Sequence, residues 1–360
     1  RRYAHNPRLT HVARQIPRGD ILDRNGVPLA TSSWDTITRY RETYAKMGIP
    51  IDQYVSRFER RYYPFGPPFF YLLGDIRTML KQGAPNTTLE ERDSRTRLQG
   101  YDDAVEVEDA IDPATGRRET RLKYDYRELV PLLRHRHEPE HDEVQALLKR
   151  PRDLRMSVDA RFQWKASQIL ASHLHRLKLQ KGAVVVLDAA TGDLLAAVSH
   201  PWPALSQLST LRLTGEPPVP DKDLVDRVRY GLYPPGSAFK VVTAIAALNR
   251  DPFLAEERFE CRRLPDGRVG NYIKGFGRPV RDDAQDRRPH GRVDLAHALT
   301  VSCNAYFAQL ATLRLKAVPL KAAADRFGIR TAEPDTASQL ARSLPQAAYG
   351  QGQVVASPFQ

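Results

Sequence analysis

Ser237 and Lys240 stand three residues apart in the run Pro235-Gly236-Ser237-Ala238-Phe239-Lys240. On a helix that spacing puts both side chains on one face, one turn apart, so the ammonium can reach the hydroxyl. A serine in the first helical turn also lies near free backbone N–H groups and the positive end of the helix dipole. The lysine is followed by Val241, Val242 and Ile245. Desolvation among such neighbours lowers a lysine pKa and lets the amine take the serine proton, which makes a nucleophile without histidine. Taken alone, Ser-x-x-Lys is weak: about one match is expected by chance in a chain of this length. The bland reading is a helix start with a snorkelling lysine. Further along, Ser302-Cys303-Asn304 offers a second hydroxyl that can relay protons and an amide that can hydrogen-bond a peptide carbonyl. Its bland reading is an N-cap for the next helix.

The elements around these residues are regular. Pro234-Pro235-Gly236 leads into a predicted helix from Ser237 to Leu248, stopped by Asn249 and Asp251-Pro252. Asp294 caps a predicted helix through Val301, a second spans Asn304 to Leu315, and a third spans Leu320 to Phe327 before Gly328. The Ser-Cys-Asn tripeptide thus falls in a short interhelical loop. Upstream, Asp159 is a predicted N-cap for a helix from Ala160 to Leu179, with Phe162, Ala166, Ile169, Leu170, Leu174 and Leu177 as its apolar face. Strands are predicted over 181–188 and 193–199 about the turn Ala190-Thr191-Gly192, apolar enough for inner strands. The N-terminal region reads as irregular and polar. A hairpin is predicted about Asn25-Gly26, and a protruding one about Asp112-Pro113-Ala114-Thr115-Gly116, between Ala104–Val107 and Thr120–Tyr124. Tyr126 to Arg150 reads as helical, broken at Pro131, and a domain boundary is expected near Lys149 to Asp153.

Composition bounds the possibilities. The 360 residues, 41% hydrophobic, suffice for about two domains and exclude a disordered or fibrous chain. No apolar run approaches the ~18 residues of a membrane span. Arg1-Arg2-Tyr3 opens without a signal-peptide core or an initiator Met, so residues upstream of Arg1 are expected. Two cysteines, Cys261 and Cys303, exclude a disulfide-built scaffold and a four-cysteine zinc site. His135, His137 and His141 have the one metal-like spacing, within a charged stretch, and neither metal nor cofactor is expected. The net charge of +12 fits a basic soluble surface or an anionic neighbour.

The ordered motifs resemble the penicillin-recognising serine acyltransferases, in which Ser-x-x-Lys and Ser-x-Asn are the first two active-site motifs. Arg18-Gly19-Asp20-Ile21-Leu22-Asp23-Arg24-Asn25-Gly26 looks like the N-terminal signature of class B penicillin-binding proteins. Gly182 to Pro201 resembles the strand pair before the nucleophile. His290-Gly291-Arg292-Val293-Asp294-Leu295 resembles the run before Ser-x-Asn, and Gly350-Gln351-Gly352 the segment after it. The resemblance is weak from about Trp34 to Lys149. It implies an α+β fold: an irregular α/β pedestal over 1–150, then a penicillin-binding transpeptidase domain over 151–360, helices around an antiparallel sheet. It further implies a peptidoglycan D,D-transpeptidase. Ser237 would form the acyl-enzyme and supply one oxyanion N–H. Lys240 would take its proton, Ser302 would pass a proton to the leaving D-alanine, and Asn304 would hold the donor peptide and help position Lys240.

The family's third motif, Lys-Thr-Gly or Lys-Ser-Gly, is absent from these residues; Lys274-Gly275-Phe276 is the nearest look-alike and stands before Ser-x-Asn. The resemblance places that motif downstream of Gln360, so the second domain is expected to be incomplete here. It implies peptidoglycan stem peptides and β-lactams as ligands, a membrane-embedded glycosyltransferase and other cell-wall assembly proteins as partners, and no nucleic acid. The implied location is the outer face of the bacterial cytoplasmic membrane, with the anchor outside these residues. The competing readings are a serine β-lactamase, a D,D-carboxypeptidase and a non-catalytic cell-wall scaffold of the same fold.

Overall fold

The computed structural model describes residues 7–76, 89–103, 106–111, 118–203 and 225–360. Contacts divide the chain into two compact units, Arg1–Val228 and Arg229–Gln360. The fold is α+β, helices with small, mostly antiparallel sheets.

In the first unit, β1 (Ile21–Leu22) and β2 (Pro28–Ala30) form the hairpin expected about Asn25-Gly26. Gly26 sits at φ 83°, which a side chain would disfavour. Asp23 builds the turn. Its Oδ1 accepts from the N–H groups of Asn25 and Val27, both at 2.8 Å, and its Oδ2 from Ala160 N–H at 3.0 Å. Helix α1 (Trp34–Lys46) starts at Ser33, whose Oγ accepts from Thr36 N–H. Strands β3 (Glu106–Ile111) and β4 (Arg118–Lys123) pair antiparallel as expected; the turn between them, and Ala104 and Val105, lie outside the described residues. β5 (Leu154–Arg155) runs parallel to β1. Helix α2 (Ala160–Arg176) is capped by Asp159, and β6 (Gly182–Leu187) pairs with β7 (Leu194–His200).

The buried face of α2 follows its apolar residues only in part. Phe162, Ile169 and Leu177 are about half exposed, whereas Ala160, Gln163, Trp164, Ser167 and Leu174 face inward. Gln163 decides the rotation. Its side-chain oxygen accepts from Ala197 N–H at 2.7 Å and its amide donates to Ala197 C=O at 2.9 Å, so it serves as a strand partner for β7. Both polar groups of this buried side chain are thereby satisfied. Trp164, Ala160 and Ala197 then join one core with Ile21, Leu29, Ile37, Tyr44 and Phe65. That shared core joins α2 and the β6–β7 hairpin to the first unit.

The Arg18-Gly19 signature has a structural reason. A Cβ on Gly19 would come within 2.2 Å of the Arg152 backbone, so only glycine allows the approach. Beside it, Glu91 is buried between two guanidinium groups: Arg61 Nε at 2.6 Å and Arg18 Nη2 at 3.0 Å. Arg61 Nη1 also donates to Gly19 C=O at 2.8 Å. Removing one partner of a buried ion pair strands the remaining charge. Glu91→Ala, which leaves two buried guanidiniums facing each other, is expected to lower unfolding free energy by about 3–5 kcal/mol, read from denaturant midpoints.

In the second unit, a single 3-10 turn over Gly236–Phe239 runs into helix α3 (Lys240–Arg250). A four-stranded sheet follows, in the order β10-β9-β8-β11, from β8 (Phe259–Arg263), β9 (Val269–Asn271), β10 (Val280–Arg281) and β11 (Gly291–Val293). Then come α4 (Leu295–Thr300), capped by Asp294, and α5 (Asn304–Gln309), which continues as a π-helical turn to Leu315. Helix α6 (Ala317–Arg326) and the pair β12 (Arg330–Thr331) and β13 (Val354–Val355) complete it. The core gathers Phe239, Val242, Ala246, Phe259, Phe307, Leu310 and Leu320. No helix among the described residues is long and apolar enough to cross a membrane.

Candidate active site

Three oxygens meet the ammonium of Lys240. Its Nζ donates to the Ser302 carbonyl at 2.5 Å, to Ser302 Oγ at 2.8 Å and to Ser237 Oγ at 3.1 Å. Ser302 Oγ lies 3.0 Å from Ser237 Oγ and donates to it. Three of the four residues singled out in the sequence thus form one closed hydrogen-bonded triangle. The Phe307 ring lies under the amine at 5.9 Å. Asn304 stands beside them, but its amide donates to Arg281 C=O at 3.0 Å. Lys240 is held by Ser302, where the sequence suggested help from Asn304.

Local geometry brings these groups together. Ser237 lies in a 3-10 turn rather than in the first α-helical turn, because Gly236 enters at φ 62°. The tighter turn still aligns positions i and i+3. Ser302 is at φ 55°, a left-handed conformation unusual for serine. It bends the chain between α4 and α5 and aims its carbonyl at Lys240.

Lys240 is almost wholly buried. Burial lowers its pKa from 10.5 to about 8, against the opposing pull of Asp282, Cys303 and Asp286. Its hydrogen-bond acceptors are neutral oxygens, so no contacting carboxylate outweighs the desolvation. A neutral amine here keeps two N–H groups for Ser302 and offers its lone pair to the Ser237 hydroxyl. Chemically, such an arrangement can activate a serine hydroxyl as a nucleophile and relay a proton through a second hydroxyl.

Behind the triangle lies a cluster that sequence spacing did not reveal. Asp282 is buried; its Oδ2 accepts from the thiols of Cys261 at 3.0 Å and Cys303 at 3.3 Å, and lies 3.4 Å from His290 Nδ1. Hydrogen bonding to Cys261, burial and the Asp282 charge push the Cys303 thiol well above its ordinary pKa. The donor atoms of Cys261, Asp282, His290 and Cys303 all lie within 4.8 Å of one another, a sulfur, nitrogen and oxygen set that could hold a tetrahedral divalent cation. Those of His135, Glu138 and His141 are similarly close in the first unit. The sequence reading, which expected no metal, examined the histidine stretch and missed the first cluster. Its members come from β8, the segment after β10, the segment before β11 and the turn before α5, so no local motif marks it.

Residues 182–360 match the family model of the penicillin binding protein transpeptidase domain. This segment belongs to the penicillin-binding protein transpeptidase family. The peptidoglycan D,D-transpeptidase PbpA of Mycolicibacterium smegmatis is 30% identical over 197 residues, covering 50% of this chain and 39% of that protein. The peptidoglycan D,D-transpeptidase MrdA of Escherichia coli is 24% identical over 284 residues, covering 71% of this chain and 38% of that protein. The matches thus span about two-fifths of these relatives' length. A solved structure of penicillin-binding protein A from Mycobacterium tuberculosis, a penicillin G acyl-enzyme complex, has a TM-score of 0.59 at 21% identity, covering 95% of this chain and 68% of that one. At that identity it shows the fold.

Gly350 of the Gly-Gln-Gly segment supports the nucleophile turn from behind. Its carbonyl accepts from Gly236 N–H at 2.8 Å, and a Cβ on Gly350 would lie 2.1 Å from Gly236 O. Gly350→Ala must displace the turn that carries Ser237. It is expected to cost about 1–3 kcal/mol of stability in thermal or denaturant unfolding. Reactivity of Ser237 towards a fluorescent penicillin should fall in the fraction that remains folded.

Proposed function

We propose that this chain forms the pedestal, over 1–150, and the transpeptidase domain, over 151–360, of a peptidoglycan D,D-transpeptidase that works through an acyl-enzyme on Ser237. The observation that carries the reading is the Lys240 amine held on Ser302 and in hydrogen-bond contact with Ser237 Oγ. The neutral amine takes the Ser237 proton as Oγ attacks the carbonyl carbon of the penultimate D-alanine of a stem peptide. Ser237 N–H, in the 3-10 turn, stabilises the developing oxyanion. Collapse of the tetrahedral intermediate breaks the peptide bond, and the proton passes from Lys240 through Ser302 Oγ to the leaving D-alanine nitrogen. An ester on Ser237 remains. The amine of a neighbouring stem peptide attacks that ester; as the ester bond to Ser237 breaks, the amine's proton passes through the Lys240–Ser302 pair to Ser237 Oγ, leaving a cross-link and the free serine. β-Lactams carry a strained amide into the same position and acylate the same oxygen. Asn304 holds the donor peptide at the mouth of the site.

The substrate fixes the setting. A stem peptide is met on the outer face of the cytoplasmic membrane, beside a membrane-embedded glycosyltransferase and its assembly partners. The net charge of +12 suits a surface facing anionic lipids and lipid-linked substrate.

Fluorescent penicillin should label the intact protein, with the mass increment on the peptide that contains Ser237, and Ser237→Ala should take no label. A folded, intact protein that takes no label at Ser237 sinks the proposal, and rapid release of hydrolysed penicillin points to a lactamase. The pH dependence follows from the lysine. Below about 8 Lys240 carries its proton and cannot accept that of Ser237. The acylation rate should rise ~tenfold per pH unit up to that point and level off above it. A rate independent of pH between 6 and 9 would contradict Lys240 as the base.

A further inference from the structure

Asp282 hydrogen-bonds to neither Ser237 nor Lys240, yet the Ser302–Asn304 segment is built on it. Its side chain is shielded from solvent. Its Oδ1 accepts from the backbone N–H groups of Asn304 and, at 3.1 Å, Ala305. These are the first two N–H groups of α5, which have no acceptor within their own helix. Its Oδ2 takes the thiols of Cys303 and Cys261. On the other side the same segment hangs from the end of α4, through Ser302 N–H to Leu299 C=O at 3.2 Å and Cys303 N–H to Ala298 C=O at 2.9 Å. Ser302 thus lies between two anchors, in a left-handed conformation it would otherwise leave. Both groups with which it meets Lys240, the carbonyl and the hydroxyl, depend on that backbone.

We propose that Asp282 is a positioning residue for acylation. Its Oδ1, by holding the N–H groups of Asn304 and Ala305, sets where the Ser302 carbonyl and hydroxyl meet Lys240. The proposal rests on the Ser237 acyl-enzyme reading. It assigns the effect to one oxygen: an asparagine at 282 can present its side-chain carbonyl where Oδ1 stands, although its amide cannot accept from the two thiols. An alanine can do neither.

The test compares wild type, Asp282→Asn and Asp282→Ala in the intact protein. The readouts are the second-order rate constant for fluorescent penicillin, the fraction labelled at saturation and the melting temperature. The saturating label counts folded molecules, so the rate constant refers to them alone. Asp282→Ala is expected to acylate at least ~tenfold more slowly and Asp282→Asn within ~threefold of wild type. Both should melt lower than wild type, because both lose the acceptor of the two thiols. Asp282→Val, of similar size, replaces the alanine variant if that does not fold. Equal rates in all three proteins overturn the proposal, since Asp282 is then only structural. Asparagine and alanine variants that are equally slow overturn it too, because the charge or Oδ2 would then carry the effect. A wild type that takes no label overturns the Ser237 reading on which the proposal stands, which keeps the two failures distinct.

Discussion

Burial of one ammonium group governs the arrangement of the second unit. Lys240 is taken out of water at the start of α3 and paired with no contacting carboxylate; its three acceptors are neutral oxygens of Ser237 and Ser302. Such an environment costs stability and lowers the amine's pKa, and it persists only if the acceptors are held in place. Ser302 supplies two of the three through a left-handed backbone, which itself costs about 1–2 kcal/mol for a residue with a Cβ. The surrounding features carry that load. Thr243, one turn along α3 from Lys240, donates to Ala348 C=O at 2.8 Å and ties the helix to the segment that ends in Gly350.

The first unit buries charge as well, to a different end. Glu91 is enclosed by Arg61 and Arg18, with opposite charges at 2.6 and 3.0 Å. Lys240 is buried with no such partner in contact. A buried ion whose partners carry the opposite charge has its loss of hydration offset by those partners. A buried ion whose contacts are neutral dipoles is destabilised in its charged form, and its pKa of about 8 leaves both protonation states within reach.

What the sequence disclosed follows the same physics. Ser237 with Lys240, and Ser302 with Asn304, are close in the chain, so spacing alone could bring out the chemistry. Pro234-Pro235-Gly236 marked the helix start, although the glycine's positive φ turned the first turn into a 3-10 helix. The hairpin about Asn25-Gly26 and the cap at Asp159 were legible for similar local reasons. The orientation of α2 was not, because it depends on a long-range hydrogen bond from Gln163 to a strand that follows it in the chain. Apolar periodicity pointed to Phe162 and Ile169 as well as to Leu174, and it could not show the buried amide beside them. Asp282 escaped notice for an analogous reason: its partners arrive from β8, from the segment before β11 and from the turn before α5.

Cys303 shows how little of a three-residue motif its outer positions reveal. As the middle of Ser302-Cys303-Asn304 it reads as a small packed residue, and it is fully buried. It does more than fill space. Its sulfur accepts from Tyr306 N–H at 3.4 Å as the N-cap of α5, and its thiol donates to Asp282 Oδ2. A serine there could make both bonds with a smaller, more polar atom, and an alanine could make neither. The middle residue therefore links the start of α5 to the buried carboxylate, while Ser302 before it meets the Lys240 amine and the Asn304 amide after it donates to Arg281 C=O. The motif is a backbone device as much as a pair of functional side chains: Ser302 can offer its carbonyl to Lys240 because the next residue turns inward and is held there.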